Sequence, residues 1–366
     1  MRVALVHDYL NQYGGAERVL EVLHEIYPEA PIFTSLYDAA TMPPHFRQWD
    51  IRTSFLQHFP LTRSHHRAFF LLYPLAFERF DLTGYDVVIS NSSAWCKGVK
   101  TPRECVHICY CLTPMRFAWN LGSYIEREQM GGLARAVLPG LMRFLRAWDV
   151  RSSSRVDRFV GISRAVVDRI RHYYHRDAEL LAPPVDVESI PLSTAIGADY
   201  LVLSRLIPYK RIDLAIRACN ELGAPLQIAG DGRDRLALQR IAGPSVHFAG
   251  YVSDQQARAY LASCRAFLFP GEEDFGIAPV EAMAAGRPVV AYAGGGALDT
   301  VLEGVTGHLF SPQTPHALAT TLASFDSTRF DPEAIREHAL QFATPRFRAR
   351  FAALVEEAWR AHAGNP

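Results

Sequence analysis

FPGEEDFGIAPVEAMAAGRPVVAY, residues 269–292, contains a strand, a loop, a helix and a second strand in succession. Pro279 suits the first turn of the helix, and Gly286 suits its end. The backbone N–H groups near Gly276 and Ile277 then have no partner within the helix and, with the helix dipole, form a site for an anion. The segment therefore predicts one βαβ unit with an anion site large enough for a diphosphate.

Short apolar runs rich in β-branched and aromatic residues alternate with longer helical patterns along the chain. This alternation is typical of βαβ units around a parallel sheet. Two series occur, and between them Pro183, Pro184 and Pro191 interrupt regular structure in residues 181–200. The predicted strands are Val3–Val6, Ile32–Leu36, Val87–Ser90, Val106–Cys111 and Phe159–Ile162, then Tyr200–Ser204, Leu226–Ala229, Val246–Ala249, Ala266–Phe269 and Pro288–Tyr292.

The chain is long enough for two domains, because 366 residues exceed the usual size of a single core. We predict an α/β protein with two Rossmann-like, doubly wound domains that face a central cleft, since such sheets bind ligands at the carboxyl ends of their strands. The predicted domains are residues 1–190 and 191–343. Residues 344–366 are predicted to form a helix with one apolar face, made of Phe347, Phe351, Leu354, Val355 and Trp359.

Composition and charge exclude several classes of protein. The 38 basic and 38 acidic residues balance, which argues against a nucleic-acid partner. The six cysteines lack the paired C-x2-C spacing of a zinc site. No window approaches the ~20 uninterrupted apolar residues that cross a bilayer, and MRVALVHDYL at the start reads as a strand. We predict a cytoplasmic protein that contacts a membrane only at its surface.

Two carboxylates, Glu273 and Glu281, flank the loop before the helix of residues 269–292. Sugar and ribose hydroxyls donate hydrogen bonds, and ionised carboxylates only accept them. One carboxylate therefore suits a hexose and the other a ribose. Acidic residues are also favoured near helix N-termini without any ligand, so an ordinary helix start is the alternative.

Two cations follow the predicted strand that ends at Ser204. Arg205 comes directly after it, and Lys210 lies five positions further on. From the carboxyl end of a strand, the two side chains are placed to converge on two phosphates and to stabilise a departing diphosphate. A solvated loop is the alternative for each residue taken alone.

Glycine-containing loops follow three other predicted strands. Gly14 and Gly15 precede an amphipathic helix, where backbone without side chains approaches a ligand closely, although the full G-x-G-x-x-G fingerprint is absent. Gly230, in IAGDGRD, and Tyr251 and Val252, in FAGYVSD, are candidates for contact with a nucleotide base. Ordinary turns explain each of these loops equally well.

Together these residues resemble the group 1 glycosyltransferases, a family of retaining GT-B enzymes that includes bacterial mannosyltransferases of cell-envelope polysaccharide synthesis. The similarity extends over essentially the whole chain. Glu273 and Glu281, followed by EAMAAGRPV, match the E-x7-E signature of the family, and Arg205 and Lys210 match its diphosphate-binding pair.

The resemblance implies metal-independent transfer of a hexose from a nucleotide-diphosphate sugar, with retention of configuration and without another cofactor. The donor's own phosphate helps to deprotonate the acceptor. The first domain would bind the acceptor and the second the nucleotide sugar, and the final helix would return to the first domain. The implied catalytic residues are Glu273, Arg205 and Lys210. The implied donor-binding residues are Gly15, Arg205, Lys210, Glu273 for the sugar, Asp274, Phe275, Gly276, Ile277 and Glu281 for the ribose.

One position departs from the family pattern. Related sequences commonly read YCHTP where this chain reads YCLTP, so Leu112 stands in place of a sugar-contacting His. A leucine side chain makes no hydrogen bond, which affects how the sugar is positioned. His107 would face the other side of the strand. Gly14, Leu112 and Arg116 are the candidates for contact with acceptor or donor.

GDP-mannose is the favoured donor, because YGGAERVLEVL, YDVVISNSSAW and EEDFGIAPVEA are similar to mannosyltransferases of this group. UDP-sugars, dTDP-sugars and a non-catalytic nucleotide-sugar-binding protein stay open. The expected acceptor is a lipid-linked saccharide or polysaccharide precursor at the inner face of the cell membrane. Residues 131–176, with ten arginines against three acidic residues, and residues 58–80 are candidates for contact with anionic lipid, or else helices with a solvated basic face.

Overall fold

The computed structural model describes residues 1–59, 62, 66–119 and 132–363, with positions 66–68, 132–137 and 363 described by their backbone alone. The chain divides into two compact units, Met1–Ala182 with Phe347–Pro366, and Pro183–Arg346. The division after Ala182 and the predicted boundary after residue 190 both fall in residues 181–200.

The first unit contains a sheet of seven parallel strands. The strands are β1 (Val3–His7), β2 (Ile32–Thr34), β3 (Ile51–Thr53), β4 (Val87–Ser92), β5 (Val106–Cys111), β6 (Arg158–Gly161) and β7 (Ala178–Leu180). Their order is β3-β2-β1-β4-β5-β6-β7, so the direction of winding reverses between β1 and β4. The central strands β1, β4 and β5 are buried along their whole length, as expected for a parallel sheet covered on both faces.

The helices of the first unit that precede residue 183 are α1 (Gly15–Ile26), α2 (Tyr73–Glu78), α3 (Arg116–Trp119), α4 (Gly132–Ser153) and α5 (Arg164–Tyr174). On α4, Leu138, Met142 and Leu145 are buried in the core of the unit. These three residues therefore form the core side of the helix, and the candidate lipid contact of residues 131–176 does not include them. Residues 60, 61, 63–65 and 131, together with the side chains of residues 66–68 and 132–137, lie outside the described part of these two stretches.

The second unit contains a sheet of six parallel strands. The strands are β8 (Tyr200–Leu203), β9 (Leu226–Ala229), β10 (Val246–Gly250), β11 (Ala266–Phe269), β12 (Val289–Tyr292) and β13 (Gly307–Phe310). Their order is β10-β9-β8-β11-β12-β13, which places the reversal of winding between β8 and β11. This is the second doubly wound sheet that the sequence predicts.

Three helices of the second unit, among those that the structure describes, start at a side-chain cap. Ser253 and Gln256 form a reciprocal capping box, and Thr314 caps a helix whose first residue is a proline. The helices are α6 (Ile212–Leu222), α7 (Arg235–Ile241), α8 (Asp254–Ser263), α9 (Ile277–Ala284), α10 (Ala297–Thr300), α11 (Pro315–Ala323) and α12 (Pro332–Ala339).

The last helix, α13 (Thr344–Ala363), packs on β5 of the first unit through its apolar face. The rings of Phe347 and Phe351 both meet Tyr110 edge to face, with centroids 5.5 and 5.7 Å away. Phe351, Leu354 and Val355 are buried, as their helical spacing predicts.

The α/β class with two doubly wound sheets is confirmed, and all ten predicted strands are present. Strands β3, β7 and β13 were not predicted from the sequence. All three lie at sheet edges, where a strand is short and lacks the continuous apolar run of a buried strand. Among the described residues, no helix has the length and apolar character that crossing a membrane requires.

Candidate active site

The two loops at the reversal of winding in the second unit carry the main candidate residues. One loop follows β8 and contains Arg205 and Lys210, and the other follows β11 and contains Glu273. Doubly wound sheets bind their ligands at this point, outside the carboxyl ends of the strands, because the two adjoining loops diverge and leave a crevice. The fold therefore places the predicted cations and carboxylate at the position where a ligand is expected.

Lys210 and Glu273 form an ion pair in this crevice, between Lys210 Nζ and Glu273 Oε2. Their side chains are only 15% and 17% exposed, so the pair is largely shielded from water. The two loops meet closely at Gly271, where a Cβ atom would lie 2.8 Å from the Lys210 carbonyl oxygen. A residue with a side chain at position 271 would separate the loops and the ion pair with them.

Helix α9 begins beside this ion pair. Its N-cap, Gly276, has φ of +92°, a conformation that residues with a side chain rarely adopt. A Cβ atom there would lie 2.7 Å from the Phe269 ring. Phe275 is buried and anchors the turn, whereas Asp274 and Glu281 are partly exposed. The first N–H groups of α9 are free of intrahelical partners, as in any helix, and the turn leads directly into them.

Arg205 lies on the same loop as Lys210 but does not join the ion pair. It is exposed, and the described part of the chain offers its guanidinium no hydrogen-bond or salt-bridge partner. The loop is held instead through Leu206, whose backbone N–H donates to the Asp231 carbonyl at 2.9 Å. A guanidinium in this position is available to an anionic ligand.

The candidate base-contacting residues lie on the neighbouring loops after β9 and β10. Gly230 has φ of +134° and packs so closely on the Ser204 carbonyl oxygen that a Cβ atom has no room. Its N–H donates to the Gly250 carbonyl at 2.7 Å. Tyr251 is 86% exposed, and Val252 is partly exposed. An exposed aromatic ring at this edge of the sheet is suited to stacking on a base.

A glycine loop after β12 supports the Glu273 loop and was not singled out from the sequence. Gly296 donates its N–H to the Glu273 carbonyl oxygen at 2.8 Å, and a Cβ atom at Gly295 or Gly296 would collide with the loop of residues 273–275. Gln313 Nε2 donates to the Pro270 carbonyl oxygen at 2.9 Å. The three consecutive glycines of AYAGGGA were the available sequence signal.

In the first unit, Gly14 and Gly15 lie where α1 starts beside the reversal of winding between β1 and β4. Beneath them is a buried polar cluster that the sequence analysis missed. His7 Nε2 lies 3.4 Å from Glu17 Oε1, and Asn91 Nδ2 donates to His7 Nδ1 at 3.2 Å and to the Ala16 carbonyl at 2.8 Å. Since an amide nitrogen only donates, Nδ1 must accept, which leaves the ring proton on Nε2 facing Glu17.

Asp8, next to this cluster, was also missed and accepts five hydrogen bonds. It is buried and accepts from four successive backbone N–H groups, those of Ser93, Ala94, Trp95 and Cys96, at 2.7–2.9 Å. The Ser93 hydroxyl donates as well, at 2.7 Å. The loop after β4 is thereby tied to the end of β1 by one side chain.

Leu112 and Arg116 lie at the carboxyl end of β5. Leu112 is half-buried and donates its N–H to the Ser92 carbonyl at 2.8 Å, and Arg116 begins α3. His107 is buried and hydrogen-bonded to Ser90 Oγ at 2.9 Å, and its burial lowers the pKa of the imidazole to about 4. The His107 side chain therefore lies in the buried interior beside the sheet, in line with its predicted orientation.

The thiols and carboxylates of the described residues include no group of three that is arranged to hold a metal ion. All six cysteines are free and buried. Burial raises the pKa of the Cys219 and Cys264 thiols to about 12, which keeps them protonated.

The second unit matches a known family. Residues 197–341 match the model of the family described as Glycosyl transferases group 1. The chain carries a group 1 glycosyltransferase domain. The matched region contains Arg205, Lys210, Glu273 and Glu281, and the predicted resemblance is confirmed.

Curated relatives of this chain include proteins with different named activities. The chain is 30% identical over 206 residues to the GDP-mannose-dependent alpha-mannosyltransferase of Mycolicibacterium smegmatis. The matched region covers 53% of this chain and 52% of the relative. The chain is 27% identical over 212 residues to the glycogen synthase of Xanthomonas campestris pv. campestris, covering 55% and 42%. The chain spans about half the length of the curated relatives it matches.

Solved structures resemble this chain along nearly its whole length. Anabaena Alr3699/HepE in complex with UDP-glucose has a TM-score of 0.70 at 17% identity, covering 98% of this chain and 100% of that one. The sucrose-phosphate synthase of Thermosynechococcus elongatus has a TM-score of 0.71 at 17% identity, covering 99% and 100%. At these identities the likeness concerns the fold, and the predicted GT-B class is confirmed.

Proposed function

We propose that this chain is a retaining, metal-independent hexosyltransferase that uses a nucleotide-diphosphate sugar. The observation that carries the proposal is the position of Lys210, Glu273 and the N-terminus of α9 around one crevice, at the reversal of winding of the second sheet. Cations and a helix N-terminus suit a diphosphate, and a carboxylate suits sugar hydroxyls. The site therefore suits both the diphosphate and the hexose of such a donor.

In the proposed reaction, the bond between the anomeric carbon and the phosphate oxygen breaks, and a bond to the acceptor hydroxyl oxygen forms on the same face of the sugar. The acceptor proton passes to a phosphate oxygen of the departing nucleoside diphosphate. Arg205, Lys210 and the N–H groups at the start of α9 stabilise the negative charge of the leaving group. Glu273 accepts from the sugar hydroxyls and orients the ring, and Glu281 accepts from the ribose hydroxyls.

GDP-mannose is the donor we favour, and it is supported by the name of the mycobacterial relative, a GDP-mannose-dependent enzyme. A UDP-sugar is the alternative within the same reaction, since the HepE structure is a complex with UDP-glucose. The two bases differ in size and in hydrogen-bonding groups, and Gly230, Tyr251 and Val252 are the residues that we propose discriminate between them. Gly15 and Gly14, in the first unit, are proposed to contact the diphosphate and the acceptor.

The proposed acceptor is a lipid-linked saccharide or polysaccharide precursor at the inner face of the cell membrane, close to Leu112 and Arg116. Contact with anionic lipid is supported by α4, whose exposed side carries Arg143, Phe144 and Arg151. Phe144 is 57% exposed, so its ring is accessible to a membrane surface. Aromatic and arginine side chains together favour the interface of an anionic membrane.

The membrane contact is tested by sedimentation with vesicles of phosphatidylglycerol and phosphatidylcholine, and with phosphatidylcholine alone. We expect the wild type to bind only the anionic vesicles, and Phe144→Ser with Arg143→Gln to weaken that binding. Leu180→Ser is the control, because Leu180 is exposed on an edge strand of the same unit. Unchanged binding of the double variant would contradict this part of the proposal.

The reaction itself is tested in two steps. Thermal unfolding with GDP, UDP, dTDP and ADP identifies the base, because a ligand that binds only the folded state raises the melting temperature. We expect GDP to stabilise most and Lys210→Ala to abolish the shift. Transfer from the matching radiolabelled nucleotide sugar to a lipid extract then tests catalysis. Stabilisation without hydrolysis or transfer would favour the non-catalytic nucleotide-sugar-binding protein.

A further inference from the structure

The carboxyl end of α9 is held by an arginine from another helix. Arg336, on α12, donates from Nη1 to the Ala284 carbonyl at 2.6 Å, at the last residue of α9. The same Nη1 donates to the Ile190 carbonyl at 2.6 Å, and Nη2 lies 3.5 Å from the Val187 carbonyl. One guanidinium therefore joins α9 to residues 183–199, the segment that precedes β8.

This contact lies at the end of α9 opposite to the candidate diphosphate site. The carbonyl groups at the carboxyl end of a helix carry partial negative charge and lack intrahelical partners. At the end of α9, three carbonyl groups accept hydrogen bonds from backbone N–H groups. The carbonyls are those of Met283, Ala282 and Ala285, and the donors are Gly286, Arg287 and Ser193, in the same order. Ala284 is the one that accepts from a cation. The helix thus has a guanidinium at its carboxyl end and a predicted anion at its amino end.

Tight packing surrounds this contact. Gly286 has φ of +75°, and a Cβ atom there would lie 2.7 Å from Leu192 and 2.8 Å from Pro332. Helix α12 makes a second contact of the same kind, because His338 Nε2 donates to the Thr300 carbonyl at 2.8 Å, at the last residue of α10. Helix α12 therefore holds the carboxyl ends of two helices whose amino ends lie at the carboxyl edge of the second sheet.

We infer that Arg336 is a positioning residue for the diphosphate of the donor. By holding the last turn of α9, it keeps the free N–H groups at the first turn aligned on the phosphate oxygens. The inference rests on the proposed function, since it presumes that a nucleoside diphosphate binds at Gly276 and Ile277. Hydrogen bonds to a phosphate are sensitive to displacements of a few tenths of an ångström, and a short helix transmits a shift at one end to the other.

A matched control exists on the neighbouring helix. Arg258, on α8, also binds residues 183–199, through the Ser189 hydroxyl at 3.0 Å and the Asp186 carboxylate at 3.8 Å. Among the described residues, the hydrogen bond and the ion pair of Arg258 are both with residues 183–199, and neither involves α9. Removing Arg258 therefore loosens the same segment without releasing the helix. A difference between the two arginine variants reports on α9 and not on the segment.

The test is calorimetric titration of GDP, UDP, dTDP and ADP into the wild type, followed by titration of the tightest binder into R336M, R336K and R258M. We expect the dissociation constant to rise about fivefold or more in R336M. R258M is expected to stay within about twofold of the wild type. All titrations are made well below the melting temperature of each variant, so that lost stability does not change the measured affinity.

Equal affinities of R336M and the wild type, or equal losses in R336M and R258M, would overturn the inference. If R336M does not fold, R336K takes its place, because a lysine retains the charge but not the two-carbonyl geometry. Weaker binding by R336K then supports the inference, and unchanged binding overturns it. Failure of the wild type to bind any of the four nucleotides would instead remove the proposed function.

Discussion

The ion pair between Lys210 and Glu273 leads to an unusual expectation for Glu273→Gln. Glu273 neutralises Lys210 in the crevice, so a nucleoside diphosphate must displace the carboxylate before Lys210 binds phosphate. Replacing Glu273 by glutamine removes this competition and one negative charge near the diphosphate. We therefore expect the variant to bind the nucleoside diphosphate more tightly than the wild type, although it is impaired in catalysis.

The magnitude follows from the shielding of the pair. Exposed ion pairs contribute about 0–1 kcal/mol, and hydrogen bonds to charged groups about 1.5–3 kcal/mol. The side chains here are 15% and 17% exposed, so an intermediate figure applies. About 1–2 kcal/mol corresponds to a gain of roughly 5- to 30-fold in affinity for the nucleoside diphosphate. The nucleotide sugar should gain less, because its hydroxyl groups lose the charged acceptor at the same time.

Calorimetric titration of the nucleoside diphosphate and of the corresponding nucleotide sugar into each variant measures both effects. Glu272→Gln is the matched control, since it removes a charge from the adjacent position of the same loop and leaves the Lys210 ion pair intact. A gain that is equal in the two variants would reduce the effect to general electrostatics. Weaker binding of the nucleoside diphosphate by Glu273→Gln would refute the competition between carboxylate and phosphate.

Three further predictions concern stability. Gly276→Ala should lower the free energy of unfolding, measured in urea, by about 1–3 kcal/mol, because the backbone has φ of +92° and the Phe269 ring is close. The control is Gly223→Ala, which should cost less because position 223 has φ of +61° and open space around it. Asp8→Asn should lower the free energy of unfolding, measured by heat or urea, by about 2–4 kcal/mol, because five hydrogen-bond donors lose a charged acceptor. A loss no larger than that caused by Ser93→Ala would contradict this prediction. The pKa of His107 is about 4 in the folded state, so the unfolded chain takes up a proton below about pH 6.5 that the folded chain refuses. His107 should therefore lower stability progressively as the pH falls from about 6.5 to 4, and the urea midpoint of His107→Gln should depend less on pH than that of the wild type.

Ten of the thirteen described strands, and the loops that carry Arg205, Lys210 and Glu273, were predictable from the sequence. Central strands of a parallel sheet are continuous apolar runs, and helix starts carry local signals such as Pro279, so both are readable without tertiary contacts. Arg205, Lys210 and Glu273 were named as candidates because each lies in the loop after a predicted strand. Both sheets therefore appear with the winding that the alternation predicts.

The partners of the site residues were decided only by the tertiary structure. Arg336 and Ala284 are far apart in the sequence, and nothing local marks their contact. The same holds for Asp8 and the loop after β4, and for the glycine loop that supports Glu273. Leu138, Met142 and Leu145 share a basic stretch, yet burial and not composition determines which side of α4 they occupy. Sequence patterns report local conformation, whereas packing in three dimensions selects which distant groups meet and which charges are shielded from water.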